Sequence, residues 1–208
     1  MSRAAVLWRD NADLARASLD HRFVQGLARG DLPRDAFVFY VEQDAYFLES
    51  FARAYALAFA KAPDRTAMLA IRELLDGVLE ELALHDSYAE EWGANLAPEP
   101  SRATRAYTDF LLRVAWSESL GRIFAAMTPC MRLYAYLGQQ LAPVTDDDQP
   151  YREWVDTYSS EPFEALAASM EALLDAHDDG SEAIARDYRT AMAREYDFFD
   201  QAAPSRDG

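Results

Sequence analysis

Cys130 is the sole cysteine of the chain. It can form no intrachain disulfide and no thiolate-rich metal site. It is then either a small buried apolar side chain or a nucleophile. It sits in the run Ala126-Met-Thr-Pro-Cys-Met-Arg-Leu-Tyr134. Pro129 lacks an amide donor, so it interrupts or kinks a helix over about Ser117 to Gln140, or follows a Thr128 cap at a first helical position. Free N–H groups at such a break would favour the thiolate. Tyr134 lies one turn on, within reach of the sulfur or of a ligand attached to it. On these residues alone the inert core thiol is the simpler reading. A cysteine–histidine pair would have to draw on His21, His85 or His177. His177, before Asp178-Asp-Gly180, reads as an exposed helix end, and His21 as a turn cap. His85 follows Glu81 by one helical turn; that spacing suits half a metal site, but two ligands are not a site and a structural pair is simpler.

Carboxylates occupy positions where apolar residues belong. Phe37, Tyr40, Val41, Phe47, Leu48, Phe51 and Tyr55 recur at helical spacing, and Asp44 falls on their stripe. Tyr188, Met192, Phe199 and Ala202 form a second stripe, with Glu195 on it. A buried unpaired charge costs several kcal/mol, so each acid needs a partner or a shifted pKa. For Asp44 a structural hydrogen bond and a functional role fit equally. Two inward acids, far apart along the chain, suggest a polar pocket inside a bundle. Tyr107, Tyr134 and Tyr158 also fall on apolar faces, where a phenol still requires a hydrogen-bond partner; simple core filling accounts for most of the eleven tyrosines.

The elements that must position these groups are helices. Segments 34–61, 65–92, 101–141, 150–177 and 181–202 are rich in Ala, Leu, Glu and Arg, with apolar residues at three- and four-residue spacing. No alternation at period two appears. Breaks fall at Gly30-Asp-Leu-Pro33, Ala62-Pro-Asp64, Pro98-Glu-Pro100, Asp146-Asp-Asp-Gln-Pro150 and Asp178-Asp-Gly180. Asp31 and Pro33 read as a cap and first turn, and Ser101 and Ser181 as further caps. The sum is an all-α bundle of about seven or eight helices in a single domain over 1–208. A formal net charge of −16 repels phosphate backbones and anionic membranes, arguing against both as partners. No apolar run approaches the ~20 residues of a membrane span. The N-terminal Met1–Trp8 lacks the form of a secretory signal, so a cytoplasmic location is expected.

Taken in order, the fragments resemble the TenA/thiaminase II family over nearly the whole chain. They are His21-Arg-Phe-Val-Gln-Gly-Leu27 with Gly30-Asp-Leu-Pro33, Tyr40-Val-Glu-Gln-Asp-Ala-Tyr-Phe-Leu48, Thr128-Pro-Cys-Met-Arg-Leu-Tyr134, Trp154-Val-Asp-Thr-Tyr158 and Glu195-Tyr-Asp-Phe-Phe199. The resemblance implies a heme-oxygenase-like helical bundle that uses no heme, no metal and no other cofactor, and that assembles as a homotetramer. The activity it implies is hydrolysis of 4-amino-5-aminomethyl-2-methylpyrimidine to the 5-hydroxymethyl compound and ammonia in thiamin salvage, with cleavage of thiamin as a lesser activity. In this likeness Cys130 is the nucleophile, Glu195 protonates ring N1, and Asp44 holds the 4-amino group and adjacent ring nitrogen. Tyr107, Tyr134, Tyr158 and Phe47 line the substrate pocket. Phe47 stands where some members carry tyrosine; it stacks on the ring but donates no hydrogen bond. A non-catalytic pyrimidine-binding or regulatory protein, and a metal-dependent oxidase using Glu81 and His85, are the competing readings.

Overall fold

In the computed structural model, residues 1–203 are described, apart from the side chains of 84–88 and 90. Ten α-helices and no strand occur among the described residues. Three short helices open the chain: α1 (Arg3–Asp10), α2 (Ala12–Leu19) and α3 (Arg22–Arg29). The bundle continues with α4 (Arg34–Lys61), α5 (Arg65–Trp92), α6 (Arg102–Ser117), α7 (Leu120–Leu141), α8 (Arg152–Ser159), α9 (Glu161–His177) and α10 (Glu182–Ala202). No described helix is long and apolar enough to cross a membrane.

The expected seven or eight helices, a count that already splits the longer segments, become ten because the opening residues form three helices of eight residues each. The 101–141 segment divides at Glu118-Ser119, and the 150–177 segment at Ser160, which caps α9 by accepting from Phe163 N–H. Ser101 caps α6 in the same way, accepting from Thr104 N–H. Ser181 stands at the N-cap of α10 without a side-chain bond, and Asp31 pairs with Arg29 instead of capping α4. Pro33 takes the cap position of α4.

Helix α7 is the axis of the molecule. It packs on α9 and α10 most extensively, then on α8, α6 and α4, while α4 also packs on α5 and α6. Close approach on two sides requires glycine. A Cβ on Gly121 would collide with the His177 carbonyl, and one on Gly138 with the backbone at Tyr158 and Ser159. Gly138 therefore sets how near α8 lies to α7, and with it the position of Tyr158.

Pro129 does not break α7, which runs without interruption from Leu120 to Leu141. Its ring withholds the amide that would have reached the Ala125 carbonyl. Thr128 is no cap; its hydroxyl donates to the Phe124 carbonyl at 2.7 Å. Burial of every residue from Ile123 to Pro129 holds the helix together across the proline.

Candidate active site

Six helices each deliver one polar group to the centre of the bundle: Asp44 from α4, Glu81 from α5, Tyr107 from α6, Cys130 from α7, Tyr158 from α8 and Glu195 from α10. The two stripes read in the sequence are buried along their whole length, acids included. Asp44 is 4% and Glu195 1% exposed. The chamber wall adds Tyr40 and Trp154. Tyr40 donates to the Tyr134 hydroxyl at 3.2 Å and accepts from the Trp154 indole N–H at 3.3 Å. The Tyr134, Trp154 and Tyr158 rings pack with centroids 4.7–5.8 Å apart. Phe47 packs on Tyr107 at 4.8 Å.

Glu195 is the hub. Its Oε1 accepts from the Tyr107 hydroxyl at 2.5 Å, and it also accepts a hydrogen bond from the Cys130 thiol. Burial pushes its pKa up to about 8, with Asp44 adding to the rise; the Tyr107 and Cys130 hydrogen bonds act the other way and do not cancel it. Glu195 is therefore a carboxylic acid at neutral pH. Cys130 is also held protonated, first by burial, then by Glu195, Glu81 and Asp44. This corrects the expectation of a thiolate favoured by free N–H groups. The sulfur lies within a continuous helix, among carboxyl groups instead of amide donors. Cys130 nevertheless keeps accessible surface while Met127, Thr128, Pro129 and Met131 are buried, so open space borders this side chain.

Glu81 was read in the sequence only as a partner for His85. The structure gives it another role: its Oε1 accepts from the Tyr158 hydroxyl at 2.5 Å. Its placement was legible by the rule that found Asp44 and Glu195, since it continues the buried stripe Ile71, Leu74, Val78 of α5. The His85 side chain lies outside the described residues, and among those described no group of three or more potential metal ligands occurs. His21 caps α3, accepting from Phe23 N–H. His177 ends α9 as read, yet is half-buried against Phe124.

These features define, among the described residues, a helical bundle with a thiol–acid centre whose acids are buried. The chain matches the TENA/THI-4/PQQC family over residues 8–203 and belongs to that family. An aminopyrimidine aminohydrolase from Halalkalibacterium halodurans is 36% identical over 182 residues, which cover 84% of this chain and 81% of that protein. The mitochondrial bifunctional TH2 protein of Arabidopsis thaliana is 37% identical over 85% of this chain, and the thiamine biosynthesis multifunctional protein ThiED of Corynebacterium efficiens 36% over 95%. The chain spans only 33% and 28% of those two longer relatives. A TenA family transcription regulator from Silicibacter sp. TM1040 superposes with a TM-score of 0.89 at 29% identity, covering 97% of this chain and 96% of that one. The fold is thus the heme-oxygenase-like helical bundle expected from the sequence.

Proposed function

We propose that the protein is an aminopyrimidine aminohydrolase of thiamin salvage, converting 4-amino-5-aminomethyl-2-methylpyrimidine and water to the 5-hydroxymethyl compound and ammonia. The observation that carries this reading is the chain from the Cys130 thiol to Glu195 to the Tyr107 hydroxyl, in which the acid and the phenol are buried and the thiol borders open space. An electron-rich aminopyrimidine resists nucleophiles until a ring nitrogen is protonated. Glu195, still an acid at neutral pH, is suited to supply that proton. The same carboxyl accepts the thiol's hydrogen bond, so it can take the sulfur's proton as it gives its own to N1. The thiol then adds to the adjacent ring carbon without a free thiolate ever being stored. Tyr107 holds the carboxyl in place. Asp44 receives the 4-amino group, and Phe47, Tyr134 and Tyr158 face the ring.

The experiment is ammonia release from the aminomethylpyrimidine by wild type and Cys130→Ser. The variant is expected to keep pyrimidine affinity and to lose turnover by roughly 100-fold or more. Equal turnover would remove the adduct. In the same reading residues 1–208 form one domain that works in the cytoplasm as a homotetramer. Trp116, 73% exposed beside an apolar recess formed by Ala56, Leu57 and Leu112, supports a second copy as its cover. Light scattering of the purified protein measures the assembly directly.

A further inference from the structure

Tyr55 is 0% exposed, and its hydroxyl has no hydrogen-bond partner. A buried phenol without a partner forfeits a hydrogen bond's worth of stability and calls for an explanation, such as a ligand that completes it. Tyr55 lies on the Asp44 stripe of α4, three turns on, and its ring packs edge-on against Phe51 at 5.0 Å. Burial raises its pKa well above the ordinary phenol value, and the neighbouring Cys130 and Glu81 add to the rise. Glu81 in turn holds Tyr158 at 2.5 Å and borders a recess of about 330 Å³ shared with Val78, Met131, Thr157 and Phe163. The ring-protonating acid Glu195 belongs to a different part of the chamber, tied to α6 by Tyr107.

We propose that Glu81 and Tyr55 form a subsite for a cationic leaving group on the pyrimidine's 5-methylene, with Tyr158, whose ring faces the pyrimidine, orienting Glu81 through its hydroxyl. The proposal rests on the aminopyrimidine reading above. A primary amine on that methylene is an ammonium at neutral pH, with three protons to donate. A carboxylate and an unpaired phenol oxygen can accept two of them. Asp44 and Glu81 both act on Cys130, a setting in which a positive ligand charge is favoured. The step balances as follows. Once sulfur has added to the ring, the lone pair of the 4-amino group pushes through to form an exocyclic methylene. The C–N bond breaks, and its electron pair leaves on nitrogen as neutral ammonia. Water adds to the methylene, the pair returns to the 4-amino nitrogen, and sulfur leaves the ring carbon, regaining a proton through Glu195 as N1 gives one up. The proton released by water ends on ammonia. A thiazolium leaving group, cationic but without N–H protons, would meet only the charge of Glu81.

The test separates ring from leaving group. The neutral probe 4-amino-2,5-dimethylpyrimidine has the ring and no group to lose; its Kd is measured by calorimetry beside kcat/KM for the aminomethyl substrate. Glu81→Gln still accepts from Tyr158 but carries no charge. It is expected to lower kcat/KM by about 30-fold while changing the probe's Kd less than threefold. Tyr55→Phe removes only an unpartnered hydroxyl. It is expected to lower kcat/KM about fivefold with Tm equal to or above wild type. Equal losses on probe and substrate in Glu81→Gln, or no loss on substrate in either variant, overturn the subsite. Wild type that neither binds the probe nor releases ammonia overturns the parent reading, and the subsite with it.

Discussion

Two charged regions lie two residues apart on α7 and are built on opposite rules. Arg132 turns toward α9. Its Nε and Nη2 donate to Glu171 at 2.9 and 2.7 Å, and its Nη1 donates to both oxygens of Glu164 at 2.9 and 2.8 Å. Cys130 turns toward α10 and meets Glu195, whose titration is set by burial, Tyr107, Asp44 and the thiol itself, with no cation among them. Around Arg132 one guanidinium meets two carboxylates in a forked geometry. Around Cys130 like charges and burial keep protons on the groups. A cation-paired cluster fixes where two helices lie; an acid kept neutral by burial retains a proton to give away.

Replacing the hub is the largest way to break this comparison. Glu195→Gln keeps the shape and the capacity to accept from Tyr107 but has no proton to deliver. Turnover is expected to fall by roughly 100-fold or more. Stability should move the other way at high pH. Glu195 has a folded pKa of about 8 against an ordinary 4.5. The folded state therefore binds the extra proton between these values, and stability is lost as pH rises from 4.5 through about 8. Thermal melts should show Glu195→Gln gaining Tm on wild type by several °C at pH 8.5 and much less at pH 4.5; a pH-independent difference would contradict burial as the cause. Wild-type kcat/KM should fall tenfold per pH unit above about 8, as the acid is lost.

Arg132→Met tests the other side. It leaves Glu164 and Glu171 without their cation, and the Arg132 side chain is 14% exposed. The expected loss is about 2–3 kcal/mol, below the ~3–5 of a fully buried pair because Glu164 is 39% exposed. That lowers Tm by roughly 5–10 °C for a chain of this size. Turnover per folded molecule should stay within twofold. If Arg132→Met abolished turnover at a temperature where melts show it folded, the division of α7 into a structural and a chemical face would be wrong.

The same contrast explains what could be read from the sequence. Asp44 and Glu195 were legible as buried acids because an acid at three- and four-residue spacing inside an apolar stripe must find a partner or shift its pKa, and both stripes are buried throughout. The bounds of α4 and the start of α5 were legible because Pro33 and the Ala62-Pro-Asp64 run punctuate them. Glu81 lies on an equally clear stripe, but its one-turn spacing from His85 reads as a local structural pair instead of an inward acid. Pro129 suggested a break by local chemistry that tertiary burial overrides. The protonated thiol was out of reach, because Cys130 is governed by residues 86, 49 and 65 positions away in sequence: Asp44, Glu81 and Glu195. Tyr55 looked like core and is core; only its lack of a partner sets it apart, and that is a property of coordinates.

The smallest effect sharpens the comparison at a group that obeys both rules at once. His21 is 6% exposed, its Nδ1 accepts from Phe23 N–H at the start of α3, and its Nε2 lies 3.4 Å from Asp200. Burial lowers its pKa, and the nearby Arg22 adds slightly; Asp200 opposes them by hydrogen bond and charge. A cap must present a lone pair, so the neutral ring is the form the fold requires, with Nε2–H donating to Asp200. Because the folded pKa lies below the ordinary 6.5, the unfolded chain binds the proton more readily. The cap's contribution is complete above pH 6.5 and declines as pH falls through the folded value. His21→Asn supplies a cap oxygen that does not titrate in this range. Urea unfolding should find the variant within about 1 kcal/mol of wild type at pH 7.5, with the gap shifting in the variant's favour at pH 5.5. A gap that shifts toward wild type on acidification would mean that the Asp200 ion pair, not the cap, decides the protonation of His21, and that a carboxylate on the surface can outweigh burial here as it does not at Glu195.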